Sequence, residues 1–153
     1  MQASTLSMTL AAQLLKSWGL PRYHEQMKTV KAFYHSRREV MQAAAAKHLD
    51  GLAEWTVPSA GMFFWFDLSP SGVTDSAPLI LEKARDALVL LAPGSAFATT
   101  DGPSCFARAA YSIASDDVID ESLRRLASVL RDAKAENEEA AAATAALAVA
   151  GGQ

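Results

Sequence analysis

Gly61-Met62-Phe63-Phe64-Trp65-Phe66-Asp67-Leu68 decides the fold class. An unbroken aromatic run between a glycine and an Asp-Leu pair reads as a buried strand, because aromatic side chains favour the pleated surface of a sheet. Immediately before it, Pro58-Ser59-Ala60-Gly61 has the composition of a tight connection, and Leu52–Val57 alternates roughly as a preceding strand. Downstream, Ser69–Thr74 reads as loop. Ser76 is placed to cap a helix over Ala77–Ala87, with Pro78 in the first turn, where proline is tolerated. Ile80, Ala84, Ala87 and Leu88 are expected to face inward. Leu88–Ala92 reads as a short apolar strand, broken by Pro93-Gly94. Ser95–Ser104 reads as loop and Phe106–Ile113 as the last strand. Ser115 then caps a final helix with Ile119, Leu123, Leu126 and Leu130 as its apolar stripe.

Two helices precede the strands. Leu6, Leu10, Leu14 and Trp18 recur at fours over Ser4–Trp18, and Gly19 followed by Pro21 ends that helix. A longer helix is expected over 22–49, with Met27, Val30, Phe33, Tyr34, Val40, Met41, Ala44 and Ala45 as its apolar positions. From about Ala133 the chain turns to alanine and glutamate and ends Gly-Gly-Gln, so 134–153 reads as a low-complexity, disordered tail. The element order is α-α-β-β-α-β-β-α. It predicts an α+β architecture with a short mixed sheet and helices on one face.

Composition narrows the function classes. The chain has 153 residues, 50% of them hydrophobic and 20% charged, with a net charge of -3. Acids outnumber bases 17 to 14, which speaks against a nucleic-acid binder. One cysteine, Cys105, cannot build a disulfide framework. No apolar run approaches the ~18 residues of a bilayer span, so no membrane partner is expected. Met1–Lys16 lacks the basic start of a targeting segment, and an intracellular, cytoplasmic protein is the expectation.

Residue chemistry is sparse. No glycine-rich nucleotide loop, His-Glu-x-x-His or Cys-x-x-Cys motif occurs. His24, His35 and His48 are about three or more helical turns apart, too far to share a metal. Cys105 has no neighbouring base and reads as a small buried hydrophobe. Asp116, Asp117, Asp120 and Glu121 crowd the start of the last helix, where acids complement the macrodipole. No metal ligands are therefore expected. Arg108 asks for an explanation. In Phe106-Ala107-Arg108-Ala109-Ala110-Tyr111-Ser112-Ile113 it shares a strand face with Phe106, Ala110 and Ser112. It is either on a wet face or paired with an anion, and its planar fork suits a carboxylate.

Three segments together resemble a known family: Gly51–Phe66, Leu91-Ala92-Pro93-Gly94-Ser95-Ala96-Phe97 and Phe106–Ser115. In order and spacing they are similar to the C-terminal part of class I aminotransferases dependent on pyridoxal 5'-phosphate (PLP). The similarity is greatest to the α-aminoadipate/kynurenine and aromatic amino acid branch, and it extends over about Ser4 to Arg131.

The resemblance implies that 1–19 is a helix of the large PLP-binding domain and that 20–133 is the small domain, joined through helix 22–49. It implies that Arg108 binds the substrate α-carboxylate and that Phe63 and Phe97 line the pocket. The implied substrates are an amino acid and a 2-oxo acid, and the implied partners are the missing large domain and, for the intact enzyme, a second copy in a homodimer. The family's Schiff-base lysine matches none of Lys16, Lys28, Lys31, Lys47, Lys83 and Lys134. Hence PLP is expected in the intact enzyme and not on this chain alone, with no catalytic or cofactor-binding residue here and no transamination by the chain alone. The alternative is a stand-alone, non-catalytic α+β binding or interaction module.

Overall fold

A computed structural model describes residues 3–150. The chain divides into two compact units, Met1–Ser36 and Arg37–Gln153. The element order is α1 (Thr5–His48), β1 (Glu54–Trp55), β2 (Phe63–Asp67), α2 (Ser76–Pro78, continuing as a π-helical segment over Leu79–Ala84), β3 (Ala92–Pro93), β4 (Phe106–Ala110) and α3 (Asp116–Ala150). Short 3-10 turns cover Ser69–Ser71 and Gly94–Phe97.

The first unit is helical. Its helix breaks where the sequence places a stop: Gly19 has φ 65° and ψ 172°, a left-handed φ that costs glycine nothing and a side-chain-bearing residue much more. The two expected helices thus run as one element, α1, interrupted at Gly19. Leu6, Leu10 and Leu14, the expected apolar stripe, are exposed. Arg22 lies over the Trp18 ring at 5.4 Å.

The second unit holds the sheet. Its order is β1-β2-β4-β3, and every pairing is antiparallel, which corrects the expectation of a mixed sheet. The helices cover one face, as expected. Phe64 and Phe66 of β2 and Ala107 and Ala109 of β4 point into the core, opposite one another in register. Alanine at both β4 positions lets helices approach the sheet closely. Met41, Ala44, Ala45 and Leu49 come from α1 and its end, and Ile119, Leu123, Leu126, Ala127 and Leu130 from α3. These spacings of three and four form one stripe on each helix. Tyr111 closes the core, ring edge against Phe64, with its hydroxyl donating to the Gly61 carbonyl at 2.7 Å.

Charges tie α1 to the start of α3. Arg37 bonds both the Tyr111 carbonyl and Asp116. Lys47 Nζ and His48 Nε2 each lie 2.9 Å from Asp120 Oδ1. Arg124 and Arg125 both bond Glu121 and hold its carboxyl down to about 2. The acids at the start of α3 are thus absorbed into helix pairing and packing. Among the described residues no group of three or more His, Cys, Asp or Glu could hold a metal.

Several local expectations need correction. Asp75, not Ser76, caps α2, accepting from the Ala77 N–H at 3.0 Å. The strand expected over Leu88–Ala92 shrinks to Ala92–Pro93, because Leu88 takes φ 61° and ends the helical segment. The Leu88 N–H bonds the Arg85 carbonyl and the Val89 N–H the Ala84 carbonyl, which is the hydrogen-bond pattern of a Schellman cap. Leu88 is accordingly 75% exposed rather than inward-facing, whereas Ile80 and Ala84 are buried. α3 continues through Ala150 where the sequence reads as a disordered tail; residues 151–153 of that tail lie outside the described residues.

Candidate functional site

The aromatic run is half core and half surface. β2 alternates, so Phe64 and Phe66 are buried while Phe63 is 41% and Trp65 39% exposed on the opposite face. This corrects the reading of the whole run as buried. In β4 the same alternation puts Arg108 on that open face with Phe106. The ladder then sets the neighbours: Trp65 and Ala92 stand opposite Arg108 from the two flanking strands, and Phe63 pairs with Ala110, diagonal to Arg108.

The Arg108 guanidinium carbon lies 4.2 Å from the centre of the Phe63 ring and 4.3 Å from that of Phe97. These are the three residues singled out in the sequence, and the fold brings them together. No acidic side chain pairs with Arg108 among the described residues. The chemical consequence follows from the shape of the group. The guanidinium is planar, and all five of its N–H donors lie in that plane. An arginine held by rings, with no acidic partner, has its in-plane fork available to a bidentate anion.

Sequence reasoning missed two contributors. Trp65 meets Phe97 edge-on at 5.7 Å and stacks on Phe106 at 5.7 Å, 19° from parallel. Strand alternation could have separated Trp65 from Phe64 and Phe66, because period-2 patterning applies within an aromatic run as elsewhere. Ser76 is the other. It is fully buried, its hydroxyl donates to the Phe106 carbonyl at 2.6 Å, and it accepts from the Gly94 N–H at 3.4 Å. Its own N–H donates to the Ser104 carbonyl at 2.7 Å. Ser76 thereby closes the base of the 94–105 loop, which carries Phe97. Nothing in the sequence distinguishes such a serine from a helix cap.

Cys105 sits at the end of that loop. Burial and the neighbouring Asp67 carboxylate push its thiol above the usual range. Burial would also raise Asp67, but the Ser69 N–H at 2.9 Å, the Ser69 hydroxyl and the Cys105 thiol outweigh it and hold Asp67 low. A thiol kept protonated is a poor nucleophile, and nothing here activates it.

PLP chemistry starts from a lysine Schiff base. A Schiff base needs a lysine within the site, and neither β2, β4 nor the 94–105 loop contains one. Lys16, Lys28 and Lys31 are exposed on α1, Lys47 is held by Asp120, and Lys83 by Glu136 at 2.6 Å. The cleft beside Lys83 is lined by Asp75, Glu82 and Glu136, an acidic wall unsuited to a phosphate.

The fold is a small α+β domain whose open sheet face carries an arginine in contact with two phenyl rings. No protein-family model matches the chain. The mitochondrial kynurenine/α-aminoadipate aminotransferase of Mus musculus is 41% identical over 132 residues, 85% of this chain and 30% of that protein. Aminotransferase tdiD of Emericella nidulans is 34% identical over 130 residues, again 85% of this chain and 30% of the relative. Among solved structures, the α-aminoadipate aminotransferase LysN of Thermus thermophilus, complexed with N-(5'-phosphopyridoxyl)-L-leucine, matches 82% of this chain and 31% of its own at TM-score 0.70 and 27% identity. The chain therefore corresponds, in sequence and fold, to a C-terminal part of the PLP-dependent aminotransferases of the kynurenine/α-aminoadipate type. It spans about 30% of the length of the relatives it matches.

No helix among the described residues is long and apolar enough to cross a membrane.

Proposed function

We propose that the chain is the carboxylate-binding portion of an aminotransferase that moves an amino group from an aromatic, kynurenine-type or 2-aminoadipate-type amino acid to a 2-oxo acid. One observation carries the reading: Arg108, without an acidic partner, stands between Phe63 and Phe97 on the uncovered face of a domain built like those of aminotransferases. Both substrates of a transaminase carry an α-carboxylate, so one arginine serves both half-reactions. Phe63 and Phe97 hold the fork in place. PLP supplies the electron sink for such chemistry. Its seat belongs to the portion of the relatives that this chain does not span, and in the complete enzyme, active as a homodimer, the apolar stripe Leu6, Leu10 and Leu14 packs with that portion.

The test uses the chain together with whatever coding sequence precedes it in frame in its transcript. Amino transfer from kynurenine or 2-aminoadipate to 2-oxoglutarate is expected, and Arg108→Lys lowers kcat/KM by about 100-fold, the scale of a lost positioning contact. A change within about twofold removes Arg108 from the role. A transcript opening at Met1, encoding a monomer with no transaminase activity, replaces this reading with a stand-alone binding module.

A further inference from the structure

Arg108 has two ring neighbours of unequal support. Phe63 is fixed by the β2 ladder, in register with Ala110. Phe97 instead ends a 3-10 turn and is followed by an exposed stretch, 98–103. Ser76 holds the base of this loop, but Phe97 itself is 45% exposed and needs lateral support. That support comes from Trp65. Its indole meets the Phe97 ring edge-on, at 75°, and is itself stacked on Phe106. It also occupies the position directly opposite Arg108 in the β2–β4 ladder. Removing the indole would empty that cross-strand position and free Phe97 at once. The guanidinium would then be free to tip toward β2, and its fork would lose a fixed direction.

We propose that Trp65 is the positioning residue of the carboxylate receptor: it packs Phe97 against Arg108 and so fixes the plane of the guanidinium. The functional part of this proposal rests on the reading of Arg108 given above; the structural part does not. Trp65 touches no reacting atom in this scheme and acts through Phe97.

The test has two arms. In the 153-residue chain, the Arg108 Nε–H resonance is expected upfield of a free arginine because of the two phenyl rings. Trp65→Ala moves it about halfway toward the position of a free arginine, because one ring is lost, while Trp65→Phe leaves it near the wild-type position. Chemical denaturation of each variant confirms that the fold is intact, as expected for a side chain outside the core. An unmoved resonance in folded Trp65→Ala overturns the proposal, whatever the substrate. In the active enzyme, Trp65→Ala raises KM for amino donor and 2-oxo acid alike by about tenfold, with kcat less affected and Trp65→Phe restoring both. Unchanged KM values beside an impaired Arg108→Lys overturn the positioning role alone. Unchanged values for both variants overturn the reading of Arg108 itself.

Discussion

Gly94→Ala is expected to destabilise the domain through a backbone atom, not a side chain. A Cβ at Gly94 would stand 2.3 Å from Ser104 Oγ, 2.8 Å from the Phe106 carbonyl oxygen and 2.9 Å from Phe106 Cβ. Ser104 Oγ can rotate away. The Phe106 carbonyl cannot, because it opens β4 and accepts the Ser76 hydroxyl at 2.6 Å. It is about 0.6 Å inside ordinary contact distance. Overpacking of this kind costs ~1–3 kcal/mol. With a urea m-value of about 2 kcal/mol/M for a domain this size, the midpoint falls by about 0.5–1.5 M at unchanged slope. Equilibrium unfolding followed by circular dichroism measures it. Ser104→Ala removes the nearest contact, so the double variant Gly94→Ala/Ser104→Ala reports what remains. Most of the cost should persist. Full recovery in the double variant would place the strain on the serine and refute the argument from the Phe106 carbonyl. A single variant within about 0.2 M of wild type would refute the close approach altogether.

Acid should weaken the ion pairs at the start of α3, where Asp120 ties it to α1 and Glu121 pairs within α3 itself. Asp120 is held low by Lys47 and His48, and Glu121 is lowered from 4.5 to about 2 by Arg124 and Arg125. Groups depressed in the folded state stabilise it above their unfolded pKa and lose that contribution as pH falls through the folded one, so Tm should drop between about pH 4.5 and pH 2, and less so at high salt. A Tm flat across that window would contradict the pairing. Cys105 should react with maleimide at pH 8 more slowly than a free thiol, and Asp67→Asn should speed the reaction, because burial and then Asp67 hold the thiol protonated. Labelling as fast as that of a small thiol would show that the loop end is open.

The helices were legible because their signals are local. Threes and fours along α3 place Ile119, Leu123, Leu126 and Leu130 in the core, and all four are buried. Gly19 broke its helix for a reason readable in one residue. Strand limits were less legible. Leu88–Ala92 is apolar enough to read as a strand, but the backbone bonds from Leu88 and Val89 cap the helix there and leave Leu90 86% exposed. Apolar content alone does not say which groups the backbone will bond. At the site, Arg108 was readable as a residue either on a wet face or paired with an anion, and Phe63 and Phe97 were singled out through resemblance. Ser76 was not, because its partners, Gly94 and Phe106, are brought to it by folding.

The two faces of β2 bear on the proposed carboxylate role. One helical layer covers Phe64 and Phe66, and the face with Phe63 and Trp65 has no layer of its own. A buried carboxylate from the same chain could have satisfied Arg108, but it would have cancelled the charge that an incoming anion needs. Phenyl rings do the opposite: they hold the cation and contribute no counter-charge. In the proposed function, that leaves the charge for an arriving carboxylate. A lysine at 108 would carry the same charge as a hydrated point without a plane, and two flanking rings could not orient it. The arrangement is thus specific to arginine, and the aromatic run that first read as core is what makes it so.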